Sequence, residues 1–113
     1  MKNFIHKEAE DGKWFHMPLA EQLGNIGSEV GRSANTQGKD GHRFHQAVER
    51  ALDLFDLTME DKRWIEQKRL REIARVREVF CDAAYNRGKE YNTSLADLDK
   101  YFLQFAIAAR RAV

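Results

Sequence analysis

Two histidines and a carboxylate are grouped on one side of the second predicted helix of this chain. His42, His45 and Glu49 have the spacing that lets two imidazoles and a carboxylate face one divalent metal ion. A working metal site also needs neighbours that orient its ligands, and the same residues suit an ordinary exposed start of a helix. The Glu-x-x-His pair of di-iron bundle proteins does not occur in the sequence. We therefore predict no bound metal and no cofactor.

Motifs for catalysis are also missing from the sequence. The HEPN class of ribonucleases, which are small helical bundles, carries an Arg followed four to six residues later by a His, and no Arg has that spacing here. The glycines of GNIGSEVG, from Gly24 to Gly31, fit neither of the common phosphate-binding motifs. Cys81, the single cysteine, lies in the helical segment VFCDAA and is predicted to be a small buried packing residue. The sequence therefore predicts a protein that is not an enzyme.

Basic side chains on the third predicted helix are the candidate nucleic-acid-binding site. Lys68, Arg71 and Arg75 share its outer face, where they would follow a phosphate backbone. Glu72 and Glu78 are interleaved with them. Opposite charges three and four residues apart are also typical of a solvent-exposed helix without a ligand, and the pattern favours that interpretation.

The segment from Met17 to Gln37 is predicted to organise the rest of the chain. We predict one long helix in it that starts at Pro18, because proline suits the first helical position. One of its faces carries an apolar ridge, and the neighbouring face carries almost no side chains. The ridge consists of Leu19, Leu23, Ile26 and Val30, and the small-residue stripe of Ala20, Gly24, Gly27, Gly31 and Ala34. A glycine inside a helix costs about 1 kcal/mol relative to alanine. The stripe therefore predicts the close approach of a neighbouring helix.

A polar stripe lies beside the apolar ridge, and it consists of Gln22, Asn25, Glu29 and Arg32. Charged side chains are seldom buried, so the pattern favours a solvated stripe, and the alternative places Glu29 partly inside. Arg77 supports the alternative, because it falls among the core positions of the third helix, where an unpaired guanidinium would be costly to bury. We predict a buried ion pair between Glu29 and Arg77, with Asp53 as the second choice of acid.

Turn-forming residues divide the rest of the chain into three further helices. Asp40 is predicted to cap a second helix that runs to about Leu57. A third helix is predicted to begin at the capping-box-like pair Thr58 and Asp61, to kink near residues 65–67 and to end near Tyr85.

A break at residues 86–94 separates the third helix from the last one. Gly88 is its candidate left-handed residue, and one of Asn92, Thr93 or Ser94 is predicted to cap the last helix. Leu103 and Ile107 lie off the core arc of that helix and would expose apolar surface. We therefore predict an oligomer interface at these two residues.

Length and composition favour one small helical domain. The 113 residues suffice for a single core, and a charged share of 33% suits a helical bundle with a large exposed surface. We predict an all-α fold, an up-down four-helix bundle at residues 17–113, preceded by an irregular leader at residues 1–16. The leader is predicted to pack on the bundle through four apolar residues, which are Phe4, Ile5, Trp14 and Phe15.

Charge and cysteine content limit the classes of partner and compartment. A net charge of +1 gives no overall attraction to nucleic acid, so any such site must be a local patch. One cysteine permits no intramolecular disulfide. The first residues lack the apolar run of a signal peptide, and no apolar run approaches transmembrane length. We predict a cytoplasmic protein with no membrane association.

Several segments resemble those of known families. NIGSEVGR, ALDLFDLT, REVFCD and KYFLQFAIAARR resemble segments of a family of small, uncharacterised helical proteins from prokaryotes, and that family implies no activity. More distantly, the chain is similar to four-helix-bundle proteins encoded in intervening sequences of large ribosomal RNA genes, in the residues Asn25, Ile26, Glu29, Gly31 and Arg32 and the stretch Phe44–Ala51. Those proteins are related in fold to accessory proteins of diversity-generating retroelements, which form homo-oligomers and bind nucleic acid. The resemblance implies a ring-like oligomer with basic residues at a nucleic-acid surface.

The sequence thus predicts a non-enzymatic, oligomeric helical-bundle module. Its partner is predicted to be a further copy of the chain, another protein, or RNA or DNA. The alternative is a degenerate HEPN-like component of a toxin–antitoxin pair.

Overall fold

Helices make up the regular structure of this chain. The computed structural model describes residues 12–111 and contains no strand in that range. A single turn of 3-10 helix at Lys13–His16 comes first, and the α-helices that follow are α1 (Leu19–Thr36), α2 (Gly41–Met59), α3 (Lys62–Glu66), α4 (Leu70–Tyr85) and α5 (Leu95–Arg111). The predicted all-α class is confirmed.

The central helix is α1, which packs along both α2 and α5. It begins one residue later than predicted, because Pro18 has an extended backbone and forms the N-cap. Ile26 and Val30 of the apolar ridge are fully buried, while Leu19 and Leu23 are partly buried against the core. One side of the ridge therefore stays accessible from outside.

The small-residue stripe of α1 faces α5 at a distance that leaves no room for side chains. A Cβ added at Gly27 would lie 2.6 Å from Cβ of Phe102, and one at Gly31 would lie 2.8 Å from Oδ1 of Asp99. At Gly24 the added atom would lie 3.2 Å from the backbone of α5. The predicted close approach is confirmed, and α5 is the neighbouring helix.

The end of α2 differs from the prediction. Thr58 does not start a helix, because α2 continues through it to Met59, and its buried hydroxyl donates to the carbonyl of Leu54 at 2.7 Å. Asp61 is itself the N-cap of α3, since its carboxylate accepts the backbone N–H of Arg63 at 3.0 Å. The predicted capping pair of Thr58 and Asp61 is therefore wrong.

The predicted kink is a break in the helix between α3 and α4. Lys68 within it has a φ of 58°, a left-handed conformation that is unfavourable for residues with a side chain. The backbone N–H of Arg69 donates to the carbonyl of Trp64 at 2.8 Å and closes the turn. The break therefore holds Trp64 and Arg69 close together.

The connection between α4 and α5 is built around a buried carboxylate. Asp82 accepts the backbone N–H groups of Glu90 at 3.2 Å and Tyr91 at 3.0 Å, and the side-chain amide of Asn86 at 2.9 Å. These hydrogen bonds lower the pKa of Asp82, that from Tyr91 most of all. Gly88 has the predicted left-handed backbone, with a φ of 75°.

Two predicted helix caps are present. The carboxylate of Asp40 accepts the backbone N–H of Arg43 at 3.2 Å at the start of α2. At the start of α5, the Ser94 hydroxyl accepts the backbone N–H of Asp97 at 3.0 Å, and the Asp97 carboxylate accepts that of Ser94 at 3.1 Å. This reciprocal pair is a capping box with Asp in place of Glu or Gln.

Aromatic side chains join the helices in the core. The ring centroid of Phe55 lies 5.8 Å from that of Phe80 and 6.1 Å from that of Phe102, which connects α2 with α4 and α5. In the predicted leader, Trp14 is buried in this core and Phe15 is exposed. Phe4 and Ile5, which were predicted to fasten the leader, lie outside the described residues.

Candidate functional site

A buried hydrogen-bond network joins the 3-10 turn to α1, α2 and α3. Gln22, fully buried at its centre, donates to the carbonyl of Trp14 at 2.7 Å and to Oδ2 of Asp61 at 3.1 Å. Its side-chain oxygen accepts the indole N–H of Trp64 at 2.7 Å. The indole N–H of Trp14 in turn donates to the Thr58 hydroxyl at 3.0 Å. The predicted solvated stripe is therefore wrong at Gln22.

The charged part of this network is the pair of Asp61 and Arg63. Asp61 is 3% exposed, and Arg63 binds its carboxylate through two N–H groups at 3.0 and 2.7 Å. Arg63 also donates to the carbonyl of Met17 at 2.7 Å. Burial alone would raise the pKa of Asp61, but hydrogen bonds from Arg63 and Gln22 lower it below its ordinary value. The network thus fastens residues 14–17 to the helices.

The predicted ion pair between Glu29 and Arg77 does not form. Glu29 is buried, as the alternative required, but its carboxylate pairs with Arg32 one turn further along α1. Arg77 instead reaches Asp56 of α2, with 3.0 Å between Nε and Oδ1. Both side chains of this second pair are 32% exposed. Arg77 therefore lies at the edge of the core, where solvent shares in stabilising its charge.

The candidates for metal binding and nucleophilic chemistry lie on α2 and α4, and Cys81 is within contact of Arg77, with 4.0 Å between the guanidinium nitrogen and Sγ. His42, His45 and Glu49 are all exposed on α2, and residues 12–111 include no group of three or more His, Cys, Asp or Glu that could hold a metal ion. Cys81 is half-buried on α4, and burial raises the pKa of its thiol. A thiol with a raised pKa is a poor nucleophile at neutral pH.

The three predicted nucleic-acid-binding residues do not share one helix face. Lys68 belongs to the break before α4, whereas Arg71 and Arg75 are exposed one turn apart on α4. Arg75 lies over the ring of Tyr91 at 5.3 Å and faces the carboxylate of Glu78 at 4.0 Å. The basic face is thus smaller than predicted and partly offset by an acid. Nucleic-acid binding here stays a prediction.

An apolar surface lies on the outer side of α5, where it was predicted. Leu103 is 54% exposed and Ile107 is 39% exposed. Beside Leu103, α1 and α5 enclose a shallow depression of about 170 Å³ whose lining includes Gly24 and Ser28. Leu103 therefore lies beside a depression that α1 lines only with small residues, namely Gly24, Gly27 and Ser28. We call Leu103, Ile107 and the depression lined by Gly24 and Ser28 the α1–α5 patch.

A larger cleft, of about 390 Å³, opens between α1, α4 and α5 on the other side of α5. Buried side chains from α3, α4 and α5 form its floor, namely Trp64, Ile73 and Phe102. Partly buried apolar side chains form its walls, namely Leu19, Leu23, Val76 and Phe105. Its polar groups belong to Gln67, Arg69, Glu72 and Tyr101, all of them exposed residues.

The Gln22 network and the cleft are the features that sequence reasoning missed. A signal for the burial of Gln22 was available, because the residue lies three positions after Leu19, one before Leu23 and four before Ile26, all on the apolar ridge. Its partners Trp14 and Trp64 are 8 and 42 residues away. A helical wheel cannot show such partners.

Comparison of the chain with protein-family models, with curated proteins and with solved structures found no match. Within the described part of the chain, each helix is too short or too polar to cross a membrane. The geometry of the α1–α5 patch and of the cleft therefore carries the argument about function.

Proposed function

We propose that this chain is a non-enzymatic helical module that pairs with a second copy of itself through the α1–α5 patch. The finer architecture that we propose is an up-down four-helix bundle of α1, α2, α4 and α5, with the short α3 as part of a connection. The observation that carries the proposal is the exposed Leu103 beside the depression at Gly24 and Ser28.

A protrusion beside a matching depression allows a surface to pair with itself about a two-fold axis. Leu103 of one copy would enter the depression of the other, and the reverse contact would form at the same time. Ile107, one turn further along α5, would be covered by the same contact. Removing these exposed apolar side chains from water supplies the driving force.

Charges at the edge of the depression favour the same arrangement. Asp99 and Arg110 both line it, so each copy presents an acid and a base on either side of the apolar contact. A two-fold axis would place Arg110 of one copy near Asp99 of the other. Such complementary charges set the register of an interface more than its strength.

The buried acids support a structural role in place of a catalytic one. Asp61 holds Arg63 and caps α3, and Asp82 holds two backbone N–H groups. Glu29 is paired with Arg32. The resemblance to bundle proteins whose fold relatives form homo-oligomers supports self-association, and we propose a cytoplasmic location.

Sedimentation velocity over a range of protein concentrations tests the proposal. We expect the unmodified chain to show a concentration-dependent dimer and Leu103→Asp to remain monomeric, because a carboxylate in the interface would lose its hydration. Ile65→Asp is the matched control, since Ile65 is 48% exposed on α3 and outside the patch. A chain that stays monomeric at high concentration, or a Leu103→Asp variant that dimerises like the control, would refute the proposal.

A further inference from the structure

We infer that the cleft between α1, α4 and α5 is a binding site for a small carboxylic acid with an aromatic or aliphatic body. The cleft shares the buried Phe102 with the lining of the depression but includes neither Leu103 nor Ile107, so the inference does not depend on self-association. Size, lining, rigidity and charge each support it.

The size and lining of the cleft are those of a small-molecule site. Its volume of about 390 Å³ falls in the range of roughly 300–1,000 Å³ that is usual for such sites. Phe102 is 1% exposed and Trp64 is 6% exposed, so aromatic side chains of the core form its floor. An apolar body of a ligand would therefore meet rings and branched side chains and would displace water from them.

The floor of the cleft is held in place before any ligand arrives. The indole N–H of Trp64 donates to the buried Gln22 at 2.7 Å, and the guanidinium of Arg63 lies 4.5 Å from the centre of the Trp64 ring. The ring of Phe102 is fixed by the close contact of α5 with Gly27. A preformed wall lowers the entropy that a ligand loses on binding.

Arg69 supplies the charge that selects a carboxylate. Its backbone N–H donates to the carbonyl of Trp64 at 2.8 Å, which ties the residue to the floor of the cleft. Within the described residues its guanidinium has one ion pair, with Glu72, at 3.7 Å. That distance is longer than a hydrogen bond, and Glu72 is 75% exposed. An exposed pair of this kind contributes little, so a ligand carboxylate could replace Glu72 and bind the planar guanidinium through two hydrogen bonds.

Tyr101 adds a second polar group to the lining. Burial, together with the nearby charge of Glu72, raises the pKa of the Tyr101 hydroxyl. The hydroxyl therefore stays protonated at neutral pH and can donate a hydrogen bond. Donors on Arg69 and Tyr101 both suit an acceptor-only group, which a carboxylate is.

The test uses the full chain and two probes with the same phenyl body and different head groups, the carboxylate of 4-phenylbutyrate and the neutral hydroxyl of 4-phenylbutan-1-ol. Binding is followed by two-dimensional NMR titration, with the indole N–H of Trp64 as the main reporter. We expect saturable shifts with both probes and tighter binding of the acid. Arg69→Gln should weaken binding of the acid about tenfold, because glutamine can keep one of the two hydrogen bonds but loses the other and the charge, and it should leave binding of the alcohol unchanged.

Two further variants separate the cleft from general effects of charge and packing. Arg71→Gln removes an exposed arginine two residues further along the chain, in α4 and outside the cleft, and it should bind both probes like the unmodified chain. Val76→Phe should weaken binding of both probes, because the larger ring fills part of the cleft. If Val76→Phe does not fold, the comparison of Arg69→Gln with Arg71→Gln still decides.

Three outcomes would overturn the inference. They are the absence of saturable shifts at millimolar probe, equal affinity for acid and alcohol, and equal losses in Arg69→Gln and Arg71→Gln. The monomeric Leu103→Asp variant should bind 4-phenylbutyrate like the unmodified chain. The failure of the cleft and the failure of self-association are therefore distinguishable.

Discussion

At the scale of single residues, Gly27 sets how closely α1 and α5 approach. Its Cα lies opposite Phe102, which is itself in the aromatic core with Phe55. A change at this one position therefore reaches α2 as well as α5. The glycine is unfavourable within the helix taken alone, and the contact that it allows offsets that loss.

Gly27→Ala is expected to lower the free energy of unfolding by about 1–2 kcal/mol, because overpacking outweighs the gain in helix propensity. The new Cβ would lie 2.6 Å from Cβ of Phe102, and a Cβ atom cannot move away without its backbone. Urea denaturation monitored by circular dichroism measures this change in the free energy of unfolding. Gly41→Ala is the control, since nothing lies within 4 Å of a Cβ added there, and its stability should be equal or slightly higher. Equal stability of Gly27→Ala and the control would contradict the prediction.

At the scale of helices, the sequence determines what is local and leaves open what is distant. The small-residue stripe of α1 correctly predicted that another helix packs closely against it, because a helical wheel shows every residue on that face of α1. It could not show that the neighbour is α5. Arg77 was predicted to need an acid and has one, yet the acid is Asp56 of α2, the helix that packs against α4, whereas Glu29 pairs with Arg32 within α1. Choosing between two acids requires the positions of the helices.

In the connection between α4 and α5, too, the local features were predictable from the sequence and the distant contacts were not. Gly88 and the Ser94 cap were predictable from local turn chemistry. Asp82 is a charged residue of the kind that is seldom buried, yet it is 6% exposed. The backbone N–H groups that donate to it belong to residues 8 and 9 positions further on. A pattern of side chains in the sequence does not show such backbone hydrogen bonds.

Removing the Asp82 carboxylate is therefore expected to loosen this connection while α4 and α5 persist. In Asp82→Ala, hydrogen exchange at the backbone N–H of Tyr91 should be faster by about tenfold or more, since the amide loses its acceptor. Glu78→Ala is the control, because it removes the hydrogen bond to the Tyr91 hydroxyl and leaves the backbone acceptor in place. Equal exchange rates at Tyr91 in the two variants would count against the role of Asp82.

At the scale of the whole molecule, basic and acidic residues are nearly equal in number, but folding depends on a few of the acids. The net charge is +1, so general repulsion is weak near neutral pH. Asp61 and Asp82 have lowered pKa values in the folded chain. One is part of the network that fastens the 3-10 turn to α3, and the other fastens α4 to the connection that precedes α5. The two ends of the fold thus share a dependence on ionised carboxylates.

Stability is expected to fall in acid, and these two groups are expected to contribute to the decline. Their folded pKa values lie below the unfolded value of about 3.9, so the folded chain binds fewer protons. Their contribution is complete above the unfolded pKa and is lost as the pH falls through the folded values. Urea denaturation at a series of pH values from neutral to strongly acidic should show this decline.

In Asp61→Asn the decline should be shallower, and stability near neutral pH should be lower by about 1–2 kcal/mol, because Arg63 loses its charged partner. Asp40→Asn, in which asparagine can still cap α2, is the matched exchange of an exposed Asp for Asn, and its decline should be steeper than that of Asp61→Asn. A slope in Asp61→Asn as steep as that of the Asp40→Asn control would mean that the ion pair at the start of α3 is not what acid disrupts.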